Sequence, residues 1–163
     1  MLRLSLALCL SISLSACASE SHDQSGESAE HTESAAATPE FLSTPEQQAM
    51  GFPFSEAVRV GHMLYLSGQI GNMPGALELA EGGIQGETRQ VLRNIQRVLE
   101  RYGSSLDRVV KCLVMIDDMA EWPAMNEVYA EFFPGPKPAR SALGADGLAL
   151  GARVEIECMA TVD

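Results

Sequence analysis

The chain lacks most of the short signatures that announce a reaction. No Gly-x-x-x-x-Gly-Lys-Ser/Thr run is present, so no P-loop cradles a nucleotide's phosphates. There is no His-Glu-x-x-His and no Cys-x-x-Cys, which removes the commonest zinc and dithiol sites. Histidine is scarce: of three, only His62 falls in the region that looks folded, at what reads as a hairpin turn. A Ser-His-Asp triad would have to be built on that turn residue, where a histidine is ordinarily just solvated. Positive charge is also thin. Seven of the 22 acidic residues and one of the 11 basic residues precede residue 47, so the remainder still carries −5. A mildly acidic domain with scattered arginines argues against a nucleic-acid partner. No apolar run approaches the roughly 20 residues of a membrane-spanning helix.

The beginning of the chain reads as an address. Arg3 precedes an apolar run from Leu4 to Leu14, interrupted only by small residues and Cys9, and Leu14-Ser15-Ala16-Cys17 looks like a bacterial lipobox. The expectation is a signal peptide over 1–17 with Cys17 lipidated, the protein's only attachment to a membrane. Ala18 stands where an aspartate would signal inner-membrane retention, which points to a periplasm-facing lipoprotein of the outer membrane. The alternative is a misassigned start and a cytoplasmic protein. Residues 18–46 are rich in Ser, Ala, Glu and Thr and poor in large apolar residues, and they read as a disordered acidic linker. His22 and His31 stand there singly, without the clustering that a metal needs.

Residues 47–163 are the size of one domain. Ser55–Val60 and Met63–Leu66 read as a hairpin turning at Gly61-His62. A loop from Asn72 to Gly83 precedes a helix from Ile84 to Tyr102, stopped by Gly103. Arg89, Arg93, Arg97 and Arg101 form a row on its polar side, read as a solvated face rather than a binding stripe. Val109–Ile116 is nearly all apolar and reads as a strand buried on both faces. A second helix starts around Trp122-Pro123 and ends at Pro134-Gly135-Pro136. Ala139–Ala145 and Ala152–Val162 read as two closing strands; if they pair as a hairpin, Arg140 and the glutamates of the last strand lie on adjacent strands. The order β-β-α-β-α-β-β is an α+β layout with two helices on one face of a mixed sheet. The uncovered apolar face predicts an oligomer. Cys112 and Cys158 read as buried small hydrophobes, and their spacing leaves pairing open.

Arg140, in Pro138-Ala139-Arg140-Ser141, and Glu155 with Glu157, in Val154-Glu155-Ile156-Glu157, remain as candidates for chemistry. An arginine fork can grip a carboxylate, and a glutamate can hold and deprotonate a water. On bare sequence a surface ion pair would serve as well for the arginine. Together with Pro53-Phe54-Ser55-Glu56-Ala57-Val58 and Ser67-Gly68-Gln69-Ile70, these residues resemble the RidA/YjgF family of enamine/imine deaminases, from about Phe52 to Thr161. The resemblance implies a chorismate-mutase-like α+β fold and a homotrimer with intersubunit sites. It implies a small imino or enamine acid as substrate and no metal or organic cofactor. It casts Arg140 and Glu155 as catalytic, with Phe54, Ser67, Gly68, Asn126 and Ala142 lining the pocket. Phe54 stands where the family often has tyrosine, Ala142 where some members have cysteine, and Ala149 where a proline is common. The alternative reading is a non-catalytic module of the same fold that binds a small carboxylate or a partner.

Overall fold

A computed structural model describes residues 36–163; Cys17, the rest of the signal peptide, His22 and His31 lie outside the described residues. The elements run β1 (Glu40–Leu42), α1 (Pro45–Ala49), β2 (Ala57–Val60), β3 (Met63–Leu66), β4 (Gln69–Ile70), α2 (Gly83–Arg101), β5 (Val109–Ile116), α3 (Trp122–Phe132), β6 (Ala139–Gly144) and β7 (Val154–Thr161). One mixed sheet has the order β1-β2-β3-β7-β5-β6, with β4 also paired to β7. Both long helices pack on one side of it.

The α+β layout expected from sequence holds, with three differences. First, part of the presumed linker is structured. Phe41 pairs with Val58 in β1, and Thr44 caps α1 in a reciprocal capping box with Gln47. The long acidic, serine-rich run ahead of Glu40 hid this short strand. Second, β6 does not pair with β7. The α3 crossover lays β6 parallel to β5, Cys112 opposite Arg140, and β7 enters between β3 and β5, antiparallel to both. A crossover helix forces parallel pairing, so the nine-residue link from β6 to β7 has to cross the end of β5 rather than turn as a hairpin. Third, β5 is buried on one face only. Cys112, Val114 and Ile116 are buried, whereas Lys111, Leu113 and Met115 are half-buried on the open side and Val110 is exposed. A register shift between Val109 and Lys111 marks a bulge at its start.

The core lies between the sheet and the helices. Val154, Ile156, Cys158 and Ala160 of β7 meet Val91, Leu92, Ile95, Val98 and Leu99 of α2, all buried. Their spacing of two on the strand and of three to four on the helix is what placed them there. Gly103 ends α2 with φ +82°, a left-handed conformation that glycine adopts without a side-chain clash. The arginine row behaves as a solvated face tied to neighbours: Arg89 pairs with Glu131, and Arg101 with Glu56. Glu56 is itself buried and also accepts from the Tyr102 hydroxyl at 2.7 Å, which fastens the segment before β2 to the end of α2.

Cys112 and Cys158, directly opposed on β5 and β7, form a disulfide in this core. The link closes a loop of 46 residues between the two central strands. Reduction, or Cys112→Ala with Cys158→Ala, is expected to cost about 2–4 kcal/mol of stability. Urea unfolding with and without reductant checks this; coincident midpoints would mean that the bond contributes nothing.

Candidate active site

Strand alternation decides what the single chain can and cannot build. Paired residues on neighbouring strands point to the same face, and successive residues to opposite faces. Arg140 is opposite Cys112, which is opposite Cys158, so Arg140 stands on the helix-covered face, on the edge strand. Glu155 is opposite Met115 and Ile70, on the open face. The two residues expected to act together are therefore on opposite faces of one sheet, with β5 between their strands. The expected neighbouring-strand pair is not formed, because β7 inserts inside β5 rather than outside β6.

Each residue instead heads its own cluster. Glu155 lies against Gly68: a Cβ built on Gly68 would sit 1.9 Å from Glu155 Oε1, so any side chain there would displace the carboxylate. Ser67 holds the neighbouring segment in place. Its hydroxyl donates to the Ser55 carbonyl at 2.6 Å, and its N–H donates to the Glu56 carbonyl at 3.0 Å. Phe54, next to Ser55, is 56% exposed and stacks on Phe52 with ring centroids 5.2 Å apart. Ser67 and Gly68 thus adjoin Glu155, and Phe54 is linked to them only through Ser55. No described residue donates a hydrogen bond to the Glu155 carboxylate. Burial raises its pKa, and the Glu157 charge two residues along the same face raises it further. Glu157 itself borders a depression of about 370 Å³ with Lys111 and Ser141, whose side chains are joined by a 2.8 Å hydrogen bond.

The second cluster surrounds Arg140. Its guanidinium carbon is 4.6 Å from the centre of the Tyr129 ring and 5.9 Å from that of Trp122. Half-buried, it makes no hydrogen bond or ion pair with any described residue, whereas Arg59, Arg89, Arg101, Arg108 and Arg153 all pair with carboxylates. The surface ion pair that bare sequence would allow is absent among the described residues. A fixed, unpaired guanidinium is a ready carboxylate site. Ala142, two residues along β6, packs from the same face against the core. Asn126 is on α3 between Trp122 and Tyr129 in helical spacing. The sequence marks Trp122 only as the helix start, and neither ring is singled out there as a neighbour of Arg140. The i, i+4, i+7 spacing of Trp122, Asn126 and Tyr129 was the available signal. No group of three or more histidine, cysteine, aspartate or glutamate side chains among the described residues is gathered as a metal would need.

A family model described as Endoribonuclease L-PSP matches residues 46–162. The chain belongs to this family, which is the RidA/YjgF family. It is 42% identical over 124 residues to a 2-iminobutanoate/2-iminopropanoate deaminase of Dermatophagoides farinae, covering 76% of this chain and 96% of that one. It is 39% identical over 119 residues to the mouse protein of the same name, covering 73% of this chain and 88% of that one. Among solved structures, RidA from an Antarctic Psychrobacter superposes with a TM-score of 0.65 at 38% identity, over 68% of this chain and 89% of that one.

Two outcomes test the geometry without reference to turnover. Gly68→Ala is expected to swing the Glu155 carboxylate off its seat, visible in a crystal structure of the variant. Glu157→Gln removes the like charge and is expected to lower the pH at which Glu155 titrates, followed by the carboxyl ¹³C shift in NMR. An unmoved midpoint would mean that burial alone sets it.

Proposed function

We propose that the protein hydrolyses small 2-imino acids, tautomers of reactive enamines, to 2-oxo acids and ammonia. The observation that carries this reading is the unpaired Arg140 guanidinium held against two rings, in a chain about 40% identical to proteins named for this activity. The substrate carboxylate docks on Arg140, with Asn126 and Ala142 beside it. Glu155, seated on Gly68 next to Ser67, takes a proton from water as the water oxygen bonds to the imine carbon, with Phe54 lining the cleft. That proton reaches the nitrogen to give a carbinolamine; Glu155 then takes the hydroxyl proton and passes it to the amino group, so that the C=O bond forms as the C–N bond breaks and ammonia leaves. The raised pKa of Glu155 makes its carboxylate a stronger base than that of an ordinary glutamate. A base of this kind contributes roughly 10²–10⁴-fold, enough for an imine that already hydrolyses in water. No step calls for a metal or an organic cofactor.

Arg140 and Glu155 can meet only if two copies supply one each, because they face opposite sides of the sheet. This supports a homotrimer whose open faces turn inward and whose clefts join the Arg140 cluster of one copy to the Glu155 cluster of the next. The half-exposed Tyr65, Leu113, Met115 and Met159 on the open face suit such burial. The family description carries a nuclease name, but an acidic domain whose helical arginines are largely tied to carboxylates and a side-chain amide is a poor match for RNA. Lipidation at Cys17 and a periplasm-facing location remain part of the proposal. A Cys112–Cys158 disulfide supports them, because such bonds persist in oxidising compartments.

The test generates 2-iminobutanoate with an amino-acid oxidase in the presence of semicarbazide. The full chain is expected to compete with the trap and suppress semicarbazone formation, and Arg140→Ala to abolish that suppression. Acidification is expected to remove activity as Glu155 becomes protonated, with a midpoint above that of ordinary glutamate. An unchanged trap rate across several imino acids, with 2-oxo acid binding intact, would favour the carboxylate-binding module instead; Phe54, which brings no hydroxyl to the cleft, is the residue that would then explain the missing turnover.

A further inference from the structure

The arginines along α2 are not equivalent. Arg89 and Arg101 pair with Glu131 and Glu56, whereas Arg97 has no carboxylate partner among the described residues. Its guanidinium donates to the Asn94 side-chain oxygen, one turn earlier. Asn94 is only 6% exposed and is itself fixed. Its amide donates to the carbonyls of Ile70 at 2.9 Å and Asn72 at 3.0 Å, and its oxygen also accepts from Gln90 at 2.8 Å. One guanidinium donor is thus spent on holding the fork, and the others have no partner among the described residues.

Arg97 borders a cavity of about 720 Å³ between α1, α2 and the loop after β4. That volume is in the range that takes a small organic ligand. Met50, Phe52, Leu77 and Val98 supply apolar wall. The Phe52 ring is braced by Phe54, with the two planes 7° apart. Glu46 and Glu56 also border the cavity, and their charge disfavours an anion that carries more than one charge. Trp122, Tyr129 and Arg140 do not border it, so it is separate from the cluster on the edge strand.

We propose that this cavity is a second binding site, for an arylalkyl monocarboxylate: the carboxylate docks on Arg97 and the apolar body lies against Met50, Phe52 and Leu77. A guanidinium fork suits a single carboxylate. An aromatic ring offers the ligand's ring a stacking or edge contact, and a methionine adapts to its outline. Inorganic phosphate would use the fork and leave the apolar wall bare. The site does not depend on the reading of Arg140.

The probe is 3-phenylpropanoate, titrated by calorimetry into the full chain carrying Arg140→Ala, so that the edge-strand arginine takes no part. One saturable site per chain is expected. Adding Arg97→Gln is expected to weaken binding about tenfold or more, with the melting temperature unchanged because Arg97 makes no ion pair with another element. Arg97→Lys, which keeps the charge without the fork, is expected to bind with intermediate affinity. Leu77→Ser, on the exposed loop, is expected to weaken binding several-fold. No saturable binding, or binding unchanged by Arg97→Gln, overturns the proposal. Competition by inorganic phosphate at equal concentration reduces the site to a charge contact and also overturns it. If Arg97→Gln lowers the melting temperature by several degrees, Leu77→Ser decides, and wild-type affinity in that variant overturns the proposal. The trap assay reads Arg140 and Glu155, so its failure leaves this site standing, and the loss of this site leaves that reaction standing.

Discussion

The triple pairing of β7 is the constraint on which the rest depends. One strand of eight residues is bonded to β3, β4 and β5. Alternation along it then sorts its side chains: Val154, Ile156, Cys158 and Ala160 seal the core, and Glu155 and Glu157 are left on the other face. The same strand brings Cys158 to Cys112 and, through β4, lays Gly68 under the Glu155 carboxylate. Once β7 occupies that slot, β6 is confined to the outside of β5, and Arg140 is carried to the edge of the sheet on the opposite face from Glu155.

The separation has a chemical use. An arginine beside a glutamate in one chain would form an ion pair, depress the glutamate pKa and occupy the guanidinium. Here neither group is quenched. Glu155 keeps a raised pKa from burial and from Glu157, and Arg140 is held by aromatic rings that compete for none of its donors. Assembly of two copies would bring a poised base and a vacant anion seat to either side of a cleft, with the ligand's carboxylate and a water between them.

Much of this was legible in the sequence. Both long helices, the Gly61-His62 hairpin and the inward face of β7 follow from apolar spacing of three to four or of two. The residue types of the candidate site also stood out, because Arg140 and Glu155 have few competitors in a chain so short of histidine and of motifs. Spatial relations were not legible. Adjacent strands in sequence were read as a hairpin, because nothing local in Ala139–Ala145 says that α3 has already committed it to β5. β1 escaped notice because three residues at the end of an acidic, serine-rich run carry no periodicity. Tyr129 and Trp122 fit a core stripe equally well, and only the position of Arg140 over their rings separates the two roles.

The central claim is that one site needs Arg140 from one copy and Glu155 from another. The most direct measurement mixes two inactive variants, Arg140→Ala and Glu155→Gln, by co-refolding, and assays imino-acid hydrolysis. Shared clefts should restore activity, to about a quarter of wild type for random assembly into a symmetric ring. A mixture that assembles fully and stays as inactive as its parents would contradict the account and return both residues to a single chain.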